Sequence, residues 1–371
     1  MKKVLILAGR YLPGHKDGGP LRTLINLTDA LCGEYEFYIA CYDRDHGDTE
    51  PYTGIAYNSW NQVGNAKVWY VPEGGFTNKL ILKLAKEKDV IYLTSFFEPY
   101  GYITLLLEKF GKINAPVALA SMGVFSKEAL AHKAFKKKVF ITGCKILGLF
   151  NDVTWSVTSE LEVDDVKRCI GKKLKYVVAE DLPRTNVPGR TRVHDNTLRI
   201  VFLSRICEHK NLAMVIDAVE AMKSRNSVEL LIYGPVQEQN YWDECLKKLE
   251  KVHYKWSYGG DVLSENVQET LAQSDVFVLP SKSENYGHVV FEALSVGCMP
   301  VISDRTPWKE LDREEIGYEV PLEVSAFTRR LDLLAEMTIE EKLEMSERCI
   351  VYAEKKVKES VKTTGYRRIL G

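Results

Sequence analysis

Short, continuous apolar runs separated by helix-length amphipathic segments recur along the whole chain, and this alternation narrows its fold more than any other feature. VLILA (4–8), EFYIAC (36–41), KVWYV (67–71), VIYLTS (90–95), PVALAS (116–121), VTWSVTS (153–159) and KYVVAE (175–180) form a first series. Residues 20–33, PLRTLINLTDALCG, show what lies between such runs. Leu21, Leu24, Leu27, Thr28 and Leu31 share one helical face, and Gly33 is a stop signal. Strands that are apolar throughout, alternating with helices, predict a parallel sheet covered on both faces.

The pattern breaks at 181–197, DLPRTNVPGRTRVHDNT, where two prolines, a glycine and many polar residues mark a linker. It then restarts with LRIVFLS (198–204), VELLIYG (228–234), WSYGG (256–260), DVFVLPS (275–281) and MPVIS (299–303), with a helix over 211–223. A chain of 371 residues exceeds one simple core. The expected class is α/β, with two doubly wound, Rossmann-like domains. The first spans 1–182 and the second 198–350, with a C-terminal helix over 351–371 packing back towards the first. Such sheets bind ligands beyond the carboxyl ends of their strands, and two of them facing each other would form a cleft.

Bulk properties exclude several classes. A net charge of −1 gives no electrostatic case for nucleic acid. The cysteines at 32, 41, 144, 169, 207, 245, 298 and 349 form no C-x-x-C pair and read as small hydrophobes of a reduced, cytoplasmic setting. The apolar stretch Val4–Ala8 is too short for the core of a signal peptide and reads as a first strand, and no stretch approaches a membrane span.

Three stretches carry candidate chemistry. After the first strand, Gly18 and Gly19 precede Pro20, which suits the first position of a helix; glycines there let a phosphate approach free backbone N–H groups. The plain alternative is a loop that needs glycine for its shape, and the spacing is not the dinucleotide G-x-G-x-x-G. In FLSRICEHKNL (202–212), Arg205 follows a strand and Lys210 precedes a helix, so the two cations could clamp a diphosphate; the alternative is a solvated loop. In SKSENYGHVVFEAL (281–294), Glu284 stands before a helix expected to open near Tyr286–His288, and Glu292 lies within it. A ribose on Glu292, a phosphate at the helix mouth and a hexose on Glu284 would follow the order of a nucleotide sugar. Two unrelated surface glutamates are the alternative.

The ordered set resembles the retaining glycosyltransferases of family 4, which have the GT-B fold. SENYGHVVFEALSVGCMPVIS is similar to their E-x7-E signature, the GGP turn at 18–20 to their N-terminal glycine loop, and Arg205-x4-Lys210 to their phosphate-binding pair; TPWKEL (306–311) is similar to bacterial members. The resemblance implies that Gly18 and Gly19 approach the diphosphate or the transferred sugar. It implies that Arg205 and Lys210 neutralise the leaving group and that Glu284 contacts the hexose beside Asn285, Tyr286, Gly287 and His288. Glu292 would hold the ribose, and Gly234 would lie near the base.

The implied activity is retaining transfer of a hexose from a UDP-sugar to a glycan or polyprenyl-linked glycan, in surface polysaccharide synthesis such as O-antigen or capsule. Transfer through an oxocarbenium-like transition state requires stabilisation of the departing diphosphate, which the two cations would supply without a cofactor or metal. One departure is Met122 before Gly123, where many members carry histidine or arginine; methionine neither donates a hydrogen bond nor carries charge. Asp43-Arg44-Asp45 matches the metal-binding D-x-D of the other glycosyltransferase fold but follows a strand in the wrong kind of domain. Residues 132–150 mix lysines with apolar residues, so a helix there could rest on an anionic membrane or pack on the sheet. The competing classes are a GT-B epimerase of UDP-sugars, a non-catalytic sugar-nucleotide-binding subunit and, more remotely, a nicotinamide dehydrogenase.

Overall fold

The computed structural model describes residues 1–126, 130, 134–189, 195–224 and 227–371. Two compact units emerge: Met1–Leu182 with Ser360–Gly371, and Pro183–Glu359.

In the first unit the strands are β1 (Lys2–Leu7), β2 (Tyr35–Tyr42), β3 (Asn61–Val63), β4 (Ala66–Val71), β5 (Val90–Leu93), β6 (Val117–Ala120), β7 (Thr154–Val157) and β8 (Tyr176–Val178). They form one sheet in the order β3-β4-β2-β1-β5-β6-β7-β8. Every described pairing is parallel except β3 with β4. Successive residues of a strand point to opposite faces. Accordingly Leu5 and Leu7 join one apolar cluster with Ile91, Leu93, Phe96 and Trp155. Val4 and Ile6 join another with Leu24, Leu27, Leu31 and Tyr70. The sheet is therefore buried on both sides, which is why its strands read as unbroken apolar runs.

The second unit holds β9 (Leu198–Leu203), β10 (Val228–Tyr233), β11 (Lys255–Tyr258), β12 (Val276–Leu279), β13 (Met299–Ser303) and β14 (Tyr318–Val320). Their order is β11-β10-β9-β12-β13-β14, parallel at each described pairing. In each sheet the winding reverses beside its first strand, between β1 and β5 and between β9 and β12. That reversal leaves a crevice at the carboxyl ends, the usual ligand position in open α/β sheets.

Three sequence expectations change. The edge strands β3 and β14 carry no apolar run and were not expected. The C-terminal stretch is not one helix from 351: a helix runs Ile339–Thr363, passing from the second unit into the first, and a short one follows at Tyr366–Leu370. The stretch read as a free linker is partly docked, since Arg184 bonds to Gln268 and the Gly189 N–H donates to the Ser295 carbonyl; residues 190–194 lie outside the described residues. Among the described residues, no helix is long and apolar enough to cross a membrane.

The last helix belongs to the first unit through burial. Tyr366, Ile369 and Leu370 join the cluster of Val4 and Ile6, and Arg367 forms two bonds to Glu34 at 2.8 and 2.6 Å. Tyr366→Ala is expected to lower the unfolding free energy of this unit by about 3–5 kcal/mol, whereas Arg367→Ala, at an exposed pair, should cost about 1 kcal/mol or less. Urea unfolding followed by fluorescence and circular dichroism reads both.

Candidate functional site

The winding reversal of the second sheet places the turns after β9 and β12 side by side. The first carries Arg205 and Lys210, the second Glu284. Several bonds join the two turns. The Lys282 N–H donates to the His209 carbonyl at 3.0 Å, and His209 Nε2 lies 2.9 Å from the Ser283 carbonyl oxygen. Lys282 pairs with Glu208 at 2.5 Å, and the Lys210 ammonium forms an ion pair with Glu284, both side chains being mostly buried. Residues 74 apart in sequence thus meet as a single polar surface.

Arg205 differs from Lys210. It is exposed just beyond β9 and makes no hydrogen bond or ion pair with the described residues. The two cations read together in the sequence therefore hold different positions: one guanidinium open, one ammonium held by a carboxylate.

The helix His288–Ser295 opens beyond Gly287, whose left-handed conformation (φ 76°) suits glycine. A Cβ there would sit 3.5 Å from Trp308 Nε1 and 3.7 Å from Glu284 Cγ. These are ordinary contacts, so the left-handed φ is what requires glycine at the helix mouth. Asn285 is exposed, while Tyr286 is buried, its carbonyl accepting from Trp308 Nε1 at 2.6 Å and its ring lying 4.8 Å from that of His288. Trp308, from TPWKEL, therefore fixes the loop before the helix.

Glu292 lies one turn into that helix and is only 4% exposed. Its carboxylate faces Arg184, with Nε 3.9 Å from Oε1. The Arg184 fork also donates to Gln268 Oε1 and to the Ser264 carbonyl, each at 2.8 Å. Gln268 in turn donates to Ser295 Oγ at 2.8 Å, and the Ser295 hydroxyl donates to the Glu292 carbonyl at 2.7 Å. The carboxylate expected within the helix is thus part of a buried polar ring, not the surface glutamate of the alternative. Gly234 follows β10, and a Cβ on it would collide with the Ser204 carbonyl oxygen; close backbone approach alone accounts for glycine there.

In the first unit, Gly18 (φ 59°) and Gly19 stand at the start of the helix Gly19–Leu31, and a Cβ on either would meet open space. The preceding loop is braced by Asp45, which accepts from the N–H groups of His15 (2.7 Å), Lys16 (3.1 Å) and His46 (2.9 Å). Asp43 is buried and accepts from Arg44 at 2.9 Å and Tyr57 at 2.8 Å. The two aspartates of the D-x-D stretch thus hold the glycine loop and its neighbours in place. Asp17, inside the loop, has its pKa raised by burial, against the opposing charges of Arg10 and His46.

The Met122–Gly123 turn is left-handed at both residues (φ 43° and 71°). The Gly123 N–H donates to buried Glu162 at 2.6 Å, and that carboxylate also accepts from the Thr158 N–H at 2.7 Å. Met122 itself packs on the apolar cluster around Val4 and Ile6.

Sequence reasoning missed Arg184, Gln268, Trp308 and Glu162. Arg184 sits in a stretch read as linker and Glu162 on a surface-like acidic run. Only TPWKEL carried a signal.

Residues 184–356 match the model of the family glycosyl transferases group 1. The group 1 segment thus coincides with the second unit and its polar surface. A curated relative, an uncharacterised glycosyltransferase of Methanocaldococcus jannaschii, is 27% identical over 125 residues, 34% of this chain and 32% of its own length. The alignment therefore spans about a third of that protein. Solved structures resemble the whole chain. An Anabaena protein, HepE, determined with UDP and glucose, gives a TM-score of 0.70 at 15% identity, covering 98% of each chain. Sucrose-phosphate synthase of Thermosynechococcus elongatus gives 0.68 at 16% identity, covering 100% of this chain and 96% of the other. The catalytic domain of starch synthase IV from Arabidopsis thaliana, bound to ADP and acarbose, gives 0.64 at 14%, covering 98% and 99%. At these identities the likeness shows the fold, which is GT-B, built from two Rossmann-like units. The group 1 match and this fold together support a glycosyl transferase.

The glycine loop yields a pH-dependent expectation. Burial acts to raise the Asp45 pKa, but its backbone N–H bonds outweigh that and hold it below the ordinary aspartate value. Its contribution to stability is therefore full above about pH 4 and lost as the pH falls through the lower folded value. Between about pH 5 and pH 3, unfolding free energy should fall more steeply in the wild type than in Asp45→Asn; equal slopes in urea titrations would contradict the assignment.

Proposed function

We propose that this chain is a retaining hexosyltransferase that takes its sugar from a UDP-sugar and passes it to a glycan or polyprenyl-linked glycan in surface polysaccharide synthesis. The observation that carries the reading is the convergence, at the winding reversal of the second sheet, of an unengaged Arg205, the Lys210–Glu284 pair and the mouth of the helix His288–Ser295. Uridine is favoured by the HepE structures, which contain UDP or UDP-glucose, although the starch synthase relative contains ADP. Retention and the surface-polysaccharide role rest on the family 4 resemblance.

The residues divide the chemistry as follows. Negative charge builds on the diphosphate as the glycosidic bond breaks, and fixed cations stabilise it without reorganising. Arg205 offers a planar fork to two phosphate oxygens. Lys210 has three N–H donors; one faces Glu284 and the others are left for phosphate. Glu284 can accept sugar hydroxyls alongside Lys210, because a carboxylate has about four acceptor positions. Glu292 takes the ribose hydroxyls, Gly234 borders the base, and Asn285 to His288 line the sugar and phosphate. Gly18 and Gly19 offer backbone from the first unit. With two cations in place, the reaction needs no divalent metal.

A second reading, a non-catalytic sugar-nucleotide-binding subunit, draws on Met122. Its side chain is packed on an apolar cluster, and the neighbouring N–H is already bonded to Glu162.

A membrane-bound acceptor is favoured by the helix Ala134–Ile146. Ile141 and Cys144 pack into the core, but Phe135 (79% exposed), Val139, Ile146 (80%) and Leu147 point outward beside Lys136, Lys138 and Lys145. His132 and Lys133 lie outside the described residues. Apolar groups flanked by lysines suit an anionic lipid surface. The protein should cosediment with phosphatidylglycerol vesicles but not with phosphatidylcholine vesicles, and Phe135→Ser with Ile146→Ser should weaken that binding about tenfold or more. Equal binding to both lipids, or none, would remove the membrane from the reading.

Calorimetric titration with UDP, ADP and GDP, with and without Mg²⁺, tests the donor site. UDP should bind without metal, and Arg205→Ala should weaken it by about ten- to a hundredfold. A folded protein that binds none of the three refutes the reading. UDP binding without turnover of any UDP-sugar, across glycan and lipid-linked acceptors, selects the non-catalytic reading.

A further inference from the structure

Glu292 is nearly fully buried, and a buried carboxylate is tolerated where a cation and hydrogen bonds accompany it. Its neighbour is Arg184, which comes from the polar stretch preceding β9 and not from the sheet or the helix carrying Glu292. Arg184 is itself held. Nη1 donates to Gln268 and Nη2 to the Ser264 carbonyl, both at 2.8 Å, so the guanidinium is anchored at both terminal nitrogens. Gln268 completes the ring through its amide, which donates to Ser295 Oγ at 2.8 Å and to the Asn186 carbonyl at 3.0 Å. The Ser295 hydroxyl then donates to the backbone carbonyl of Glu292. The helix turn bearing Glu292 and the segment bearing Arg184 are thus fixed to each other at several points.

We infer that Arg184 is a positioning residue that keeps Glu292 turned to accept two ribose hydroxyls, and so sets the preference of the donor site for ribonucleotides. The inference rests on the assignment of Glu292 to the ribose. Two vicinal hydroxyls donate best to one carboxylate held in a single orientation. Arg184 contributes to that condition: its guanidinium, itself anchored, has Nε 3.9 Å from Oε1, a charge contact longer than a hydrogen bond. A neutral residue at 184 would leave a buried carboxyl group without this cation. The side chain is then free to turn, and turning removes an acceptor from the 2′-hydroxyl.

The test compares the tightest binder among UDP, ADP and GDP with its 2′-deoxy counterpart, by calorimetry on the full chain. The wild type should prefer the ribonucleotide by about tenfold or more, the worth of one hydrogen bond to a charged acceptor. In Arg184→Gln the preference should fall to about twofold or less, and in Arg184→Lys it should lie between. A purely structural role would weaken both nucleotides together and keep their ratio, which would overturn the inference. Glu292→Gln separates the two levels of the argument. If it abolishes the preference while both Arg184 variants retain it, the ribose assignment stands and the role of Arg184 falls. If Glu292→Gln keeps the full preference, or the wild type binds no nucleoside diphosphate, the donor-site reading falls and takes this inference with it. Should Arg184→Gln not melt cooperatively, Gln268→Ala, which removes the acceptor of Nη1, replaces it; a partial loss of preference supports the inference and an unchanged ratio overturns it.

Discussion

Burial of both sheets on both faces is the constraint from which the rest of the architecture follows. A strand covered on each side has no place for an unpaired polar side chain, so β1, β5, β9 and β12 are apolar almost throughout. Chemistry is displaced to the carboxyl ends, and there the winding order decides which turns become neighbours. Because β9 lies between β10 and β12, the turn carrying Arg205 and Lys210 meets the turn carrying Glu284 although β10, β11, β12 and three described helices separate them in sequence. The alternation that identifies the fold therefore also determines where charged residues can gather.

The Lys210–Glu284 pair makes two assigned roles interdependent. Each side chain is mostly buried, so removing either leaves an incompletely solvated charge on the other. A substitution at Glu284 will alter the cation expected on the diphosphate, and a substitution at Lys210 will alter the carboxylate expected on the sugar. Their effects on binding will not add. Arg205 is independent of this coupling, being exposed and without a described partner. It is consequently the cleaner probe of diphosphate binding, and the pair reports on how donor sugar and leaving group are linked.

The legibility of this chain in its sequence follows the range of the forces involved. Strands such as MPVIS and LRIVFLS were legible because burial writes itself into every residue of a run. β3 and β14 were not, because each contributes three residues at a sheet edge, where pairing with a neighbour decides the conformation. Gly287 and Glu284 were legible from local spacing around a helix mouth. Arg184 was not: a proline-flanked polar stretch looks like a solvated linker, and only the tertiary structure shows its guanidinium docked between Gln268 and Glu292. Glu162 was hidden for the same reason. It follows Ser159 at capping-box spacing, yet its carboxylate reaches Gly123, 39 residues away, as well as Thr158.

The two winding reversals differ in what they present. In the second unit, charged side chains converge on the crevice. In the first, the carboxylates near the glycine loop are largely engaged with the protein itself: Asp45 holds backbone N–H groups of that loop, and Asp43 holds Arg44 and Tyr57. Gly18 and Gly19 are exposed, with open space where a Cβ would stand. The Met122–Gly123 turn contributes neither charge nor a free N–H of Gly123, because Glu162 accepts that N–H and the methionine packs on apolar neighbours.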